Sequence, residues 1–152
     1  MSVGVSSAFA LGNQLNLVLD AAIMRTNGAH MTDGLVTDVT PLYARSLGAA
    51  LVQRDAYRPG DNLAFSVRAP MRVVSGSANV TTNNVDSDGN PIISSQRVGL
   101  RATGNEMDFG VGYSAPVSDN VSWNLSLNAR QDADNVSGAH AADFLIGTKI
   151  RF

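Results

Sequence analysis

The sequence predicts an all-β chain folded as an antiparallel transmembrane β-barrel, and three observations predict it. Apolar and polar residues alternate with a period of two along much of the chain. Charges fall inside the polar half of that alternation, and the connections between apolar stretches run short and long by turns. A strand turns successive side chains to opposite faces, so this alternation gives each segment one apolar and one polar face. At 152 residues the chain is of single-domain size, and residues 1–152 are read as one barrel domain.

Taken in order, Leu15-Asn16-Leu17-Val18-Leu19-Asp20 and Leu63-Ala64-Phe65-Ser66-Val67-Arg68 carry the pattern. So does Met107-Asp108-Phe109-Gly110-Val111-Gly112-Tyr113-Ser114. From Val121 to Arg130 every odd position is apolar and every even one polar. At the end of the chain, Phe144, Ile146, Thr148, Ile150 and Phe152 share one face, with Gly147, Lys149 and Arg151 on the other. Only 40–51 would also fit a helix. Apolar stretches fall at 2–11, 15–25, 43–54, 62–82, 95–115, 121–130 and 142–152. Left whole, they are joined by short connections at 12–14, 55–61 and 116–120 and long ones at 26–42, 83–94 and 131–141. Membrane barrels pair short turns with long outer loops in this way. Parity slips at Met71/Val73 to Val74 and at Ala102 to Met107 predict bulges inside the two longest strands. Seven strands is an odd count, whereas bacterial single-chain barrels are even. The expectation is therefore about eight strands, with the eighth near Leu35 to Tyr43, or else the C-terminal strands of a larger barrel.

Barrel and soluble sandwich both give alternation. The barrel is favoured by Asp20, Arg68, Arg97, Arg101, Asp108 and Lys149, read as charges facing a wet lumen, and by the Gly and Ala around them. Trp123, Tyr113, Phe109, Phe144 and Phe152 are then expected to face lipid. Composition narrows the function classes. Only 16% of residues are charged and the net charge is −2, which gives no case for nucleic acid. There is no cysteine, so thiolate metal sites and Cys nucleophiles are excluded. No run approaches the ~20 apolar residues of a spanning helix. Met1 to Leu11 lacks a basic n-region and cleavage site, so no signal peptide is read there.

Several short stretches resemble a known family. Pro59-Gly60-Asp61-Asn62-Leu63, then Ala69-Pro70-Met71-Arg72-Val73 and Ser75-Gly76, resemble the autotransporter translocator barrel, in particular the barrels behind subtilisin-like serine protease passengers. Ala69 stands where that family has Gln. Gly104-Asn105-Glu106-Met107-Asp108, Gly112-Tyr113-Ser114-Ala115-Pro116-Val117 and the ending Ile150-Arg151-Phe152 are also similar, so the likeness spans roughly 43–152. The resemblance implies an anchor in the bacterial outer membrane that exports an N-terminal passenger, with the lipid and the barrel-assembly machinery as partners. It implies that Phe144, Ile146, Ile150 and Phe152 form the C-terminal assembly signal. It also implies twelve strands and a helix in the lumen, for which this chain is too short and shows no helical segment. Missing upstream strands are a further expected partner.

Other motifs point elsewhere only weakly. Asp86-Ser87-Asp88-Gly89-Asn90 opens like a calcium loop, but Arg97 stands where a bidentate Glu is needed, so a solvated turn is expected. His30 and His140 fall in long connections without a second ligand, and no Gly-x-Ser-x-Gly elbow is present. Gly110-Val111-Gly112 lies within a strand and is no phosphate loop. The chain is accordingly read as no enzyme, with no cofactor. A small self-contained barrel with a structural or adhesion role and a soluble β-sandwich interaction module remain the alternatives.

Overall fold

A computed structural model describes residues 1–32 and 34–151. Eleven strands make two antiparallel sheets. They are β1 (Ser2–Ala10), β2 (Leu15–Thr26), β3 (Ala29–His30), β4 (Val36–Val39), β5 (Leu42–Arg54), β6 (Asn62–Ser75), β7 (Ser77–Val85), β8 (Pro91–Gly99), β9 (Met107–Ser118), β10 (Val121–Gln131) and β11 (His140–Ile150). The all-β expectation holds. The main sheet has seven strands in the order β1-β2-β5-β6-β9-β10-β11, a meander, and the second has four in the order β3-β4-β7-β8. The seven strands follow the seven apolar stretches of the sequence. Residues 40–51, open between helix and strand, lie mostly in β5.

Neither sheet closes on itself: among the described residues β1 pairs only with β2, and β11 only with β10. The eighth strand expected near Leu35 to Tyr43 is not part of the main sheet. Val36–Val39 is a strand, but it pairs with β3 and β7 in the second sheet. The reason is local: β3 and β4 form a hairpin inside the long connection, and Thr40 ties it to β7 by accepting from Ser77 N–H at 2.8 Å.

The two longest apolar stretches also divide. Between β6 and β7 stands Gly76 at φ +141, and a Cβ there would collide with Leu42, so the chain can turn out of the main sheet only at a glycine. Before that turn the expected slip is real: register shifts on β6 lie opposite Tyr43/Ala44 and Arg45/Leu47. The slip from Ala102 to Met107 is no bulge. There the chain leaves the sheet, held by Gly104 N–H to Asn135 O at 2.7 Å and Asn105 N–H to Asp132 Oδ2 at 3.0 Å. A loop carbonyl and a side-chain carboxylate take the place of the ladder in this stretch.

Short turns and long connections therefore alternate, and they gather at opposite ends of the main sheet. The long-loop end carries 27–41, the excursion 76–106 through β7 and β8, and 132–139. The short-turn end carries 11–14, 55–61 and 119–120.

Burial is inverted relative to a water-soluble domain. The buried apolar residues among those described are four alanines, Ala44, Ala78, Ala115 and Ala133, while Asp61 and Glu106 are buried polar groups. Along β9 and β10 the large apolar Phe109, Val111, Leu125 and Leu127 are exposed, whereas Gly110, Gly112, Ser126 and Asn128 on the opposite face are half-buried.

Candidate functional site

The register sets the two faces of the main sheet against each other row by row. On the apolar face one row crosses all seven strands as Phe9, Leu17, Leu51, Phe65, Val111, Leu127 and Phe144. Phe65 is 51% exposed, Leu127 53% and Phe144 59%, so the row is unburied from centre to edge. Opposite-strand side chains on one face stand ~5 Å apart, so the row is one continuous apolar band.

Aromatic type sorts along the strands. Tyr43 stands at the long-loop end with Arg25 over its ring, 5.6 Å from the centroid. At the short-turn end stand Tyr57, Tyr113 and Trp123; Phe9, Phe65, Phe109 and Phe144 lie between the two ends, Phe109 nearest midway. Tyr113 does not present a free hydroxyl as a surface girdle residue would; it donates to Asp61 Oδ2 at 2.7 Å and packs edge-on to Tyr57 at 5.8 Å.

On the polar face the expected charges are partly brought together. Asp20, Gly48, Arg68, Asp108 and Arg130 form one row across β2, β5, β6, β9 and β10, so charge alternates in sign along it. Arg68 Nη2 lies 3.8 Å from Asp20 Oδ1, and Arg130 Nη2 donates to Asp143 Oδ2 at 3.2 Å. Asn128 Nδ2 donates to the other oxygen of Asp143 at 2.8 Å. Asp108 Oδ1 and Arg130 Nε, directly opposite each other, are buried without a hydrogen-bond partner. A shallow pocket of about 290 Å³ lies over this row.

The other expected charges lie elsewhere. Arg97 sits on β8 of the second sheet and donates to Ser77 Oγ at 2.9 Å. Arg101 falls in the segment between β8 and β9, off both sheets. Lys149 is on β11 at the short-turn end, lining a separate pocket of about 280 Å³ with Asn124 and Arg151. Arg130 completes the row instead, held by Asp143, which pairs with Asn128 in the next one. Arg130 could have been found by its even parity on β10, but Asp143 was hidden because Leu145 breaks the polar alternation of β11. Of the expected assembly signal, Phe144, Ile146 and Ile150 lie on the apolar face opposite Leu127, Leu125 and Val121, all on an edge strand. Phe152 lies outside the described residues.

The connections hold acidic caps rather than ligand sets. Asp61 is 1% exposed; burial pushes its carboxyl up, but Tyr113 and the backbone N–H groups of Ala56, Tyr57 and Arg58 outweigh this and hold it below 3.8. It closes the Pro59-Gly60-Asp61 turn. Asp86 is held low chiefly by the N–H of Asn90, which makes the calcium-like stretch a capped hairpin turn. Asp132 is held low first by the N–H of Asn105. His30 is on the two-residue β3 rather than in a loop, with Nδ1 2.6 Å from Asp38 Oδ1, and that hydrogen bond is the main cause of the lowered Asp38 carboxyl. Among the described residues no cluster of three or more His, Cys, Asp or Glu side chains could hold a metal ion, and no helix is long and apolar enough to cross a membrane. The chain matches no family model, no curated protein and no solved structure.

Proposed function

We propose that the chain is the wall of a bacterial outer-membrane barrel of autotransporter translocator type. It anchors in the outer-membrane lipid, is inserted by the barrel-assembly machinery, and lets an N-terminal passenger leave the cell. In the family it resembles that passenger is a serine protease. The observation that carries this reading is the seven-strand apolar row from Phe9 to Phe144, exposed at every position but the half-buried Leu17, while smaller polar residues behind it are half-buried. In water such a band would cost about 25 cal/mol for each Å² of apolar surface left exposed; against hydrocarbon it costs nothing.

Geometry adds support. Tyr43 lies ten residues along β5 from Gln53, whose row contains Leu63 and Tyr113. At about 3.3 Å per residue this is roughly 33 Å of strand, or ~25 Å of membrane depth at a tilt near 40°. Amphipathic aromatics belong at those two interfaces and Phe between them. The polar row supplies a wet interior with balanced charge. Two unpaired edges call for further strands, because an open edge in hydrocarbon leaves backbone groups unsatisfied at several kcal/mol each.

The test is expression of the chain behind a secretory leader, followed by fractionation and gel mobility with and without heating. Recovery in the outer membrane, only with detergent and with heat-modifiable mobility, is the expected result. A folded chain that remains monomeric in aqueous buffer would overturn the proposal in favour of a soluble β-module.

A further inference from the structure

We infer that the outer face carries a binding site for one membrane lipid with a net-negative phosphate headgroup, seated between Arg45 and Arg72; the inference rests on the lipid-facing reading above. A cavity of about 660 Å³ lies on the apolar face and not on the polar one. It is of the size that holds a small-molecule-sized ligand, about 300–1,000 Å³. Its form follows from residue size. Ala21, Leu47 and Ala69 are in one row, and Leu19, Ala49 and Val67 are in the next, so alanines floor a groove between larger neighbours. Beyond Arg68↔Asp108 strand β9 no longer pairs with β6, which leaves the groove open beside Asn105 and Met107.

At the long-loop end the groove meets two arginines. Arg45 on β5 and Arg72 on β6 are direct cross-strand partners, and both line the cavity. Arg72 owes its place to the bulge. By simple alternation from Arg68 it would join the polar face; the extra residue opposite Arg45/Leu47 turns it to the other side. Like charges placed directly opposite repel. Among the described residues neither arginine has a carboxylate partner: Arg72 Nη1 donates to the carbonyl of Gly104 at 3.1 Å, and Arg45 makes no side-chain hydrogen bond. Asp20 borders the cavity, but its carboxylate is turned to Arg68 across Gly48 on the opposite face. Two guanidinium forks at one end of an apolar groove call for a ligand with an anionic head and an acyl tail. Planar guanidinium groups suit phosphate oxygens in particular. Located at the long-loop end, the pair stands at headgroup depth in the proposed membrane orientation, with the tail running down toward Leu19 and Val67.

The full chain in dodecyl maltoside micelles, doped with phosphatidic acid or with phosphatidylcholine of the same acyl chains, is measured by native mass spectrometry. The wild type should retain one phosphatidic acid per chain about tenfold better than phosphatidylcholine, as charge-assisted arginine contacts allow. Inorganic phosphate alone should not compete. Arg45→Gln with Arg72→Gln should erase the headgroup preference, phosphatidic acid losing far more retention than phosphatidylcholine, and Ala49→Phe should lower retention of both lipids. Arg97→Gln, a cation of the second sheet, should change neither. If the wild type, folded by its unheated gel mobility, shows no preference, or if the preference survives the double substitution, the lipid site is overturned and the membrane reading is untouched. If the chain is folded and monomeric without detergent, both fail together.

Discussion

Arg68 reaches Asp20 across an intervening strand. The two residues belong to β6 and β2, and between them in the same row stands Gly48 of β5, so nothing separates guanidinium from carboxylate at 3.8 Å. A Cβ on Gly48 would collide with all three atoms of the Asp20 carboxylate. Glycine at this point lets charges two strands apart act on each other, and it makes the polar row continuous.

The first prediction follows directly. Gly48→Leu should push Asp20 aside and lower stability in detergent by about 1–3 kcal/mol, the usual range for overpacking. Asp20→Asn alone should cost no more than about 1 kcal/mol, since both partners are well exposed. In a double-mutant cycle the Asp20–Arg68 coupling should vanish on the Gly48→Leu background. Coupling of unchanged size there would show that the glycine is not what lets them meet.

Acid should loosen the 55–61 turn. Asp61 is depressed in the folded chain by Tyr113 and three backbone N–H groups. A depressed carboxyl stabilises fully above its unfolded value, here 3.8, and that stability is lost as pH falls through the lower folded value. Near-UV circular dichroism of Tyr57 and Tyr113, followed from about pH 6 to 2, should show this loss. Asp61→Asn should be less stable at neutral pH and lack that acid-side slope. An unchanged slope in the variant would place the acid-sensitive group elsewhere.

Depth should grade the cost of charge on the apolar face. Phe109 lies in the row of Ala49 and Val67, near midway between Tyr43 and the Gln53 row, whereas Leu125 shares a row with Tyr113 at the short-turn end. Phe109→Arg should cost roughly 2–4 kcal/mol in a bilayer, Leu125→Arg less, and Asn124→Arg on the polar face little. Refolding into lipid vesicles with urea titration measures all three. Equal tolerance of Phe109→Arg and Asn124→Arg would remove the lipid assignment of that face.

The period-two pattern is why so much of the main sheet could be read in advance: Val121 to Arg130 alternates without a break, and it forms β10 with its faces as expected. The second sheet could not be read this way. Val36–Val39 alternates as well as a main-sheet strand does, and local pattern does not specify which neighbour a strand pairs with. Residues 100–106 were misread because their fold is set by Asp132 and Asn135, some thirty residues away. The polar row was half legible. Asp20, Arg68 and Asp108 have the right parity, but their alignment depends on register, and Arg97 has the same kind of parity on a strand that belongs to another sheet. The Arg45–Arg72 pair was not legible at all, because a bulge reverses the face of Arg72.

Assembly should depend on the end of β11 more than stability does. Phe144, Ile146 and Ile150 stand on the apolar face of an edge strand, exposed and available to a partner strand. Phe152→Asp should prevent outer-membrane insertion in cells and leave the thermal midpoint of chain refolded in detergent within a few degrees. Normal insertion of the variant would sink the signal assignment.

The last prediction concerns the two free edges. β1 and β11 lie six strands apart in a meander of seven, so they run in the same direction, and an all-antiparallel barrel cannot close by joining them. Closure with antiparallel pairing throughout requires an odd number of further strands inserted between β11 and β1. The second sheet supplies none, because β3, β4, β7 and β8 pair among themselves beyond the long-loop end. Both edges are long and regular: the partner registers of β1 and β11 run without a shift, and neither strand has a proline to blunt it. In detergent, the chain by itself should therefore exchange the amides of β1 and β11 that are not bonded to β2 and β10 far faster than those of β5 and β6. Alternatively it should associate with copies of itself until the edges are covered. Hydrogen exchange read by NMR, beside the mass of the protein–detergent particle, separates the two. When the chain is fused behind an odd number of alternating strands, the same amides should become protected in a monomer. A monomer of the unfused chain with every β1 and β11 amide protected would mean that the sheet closes on itself, and the requirement for further strands would be wrong.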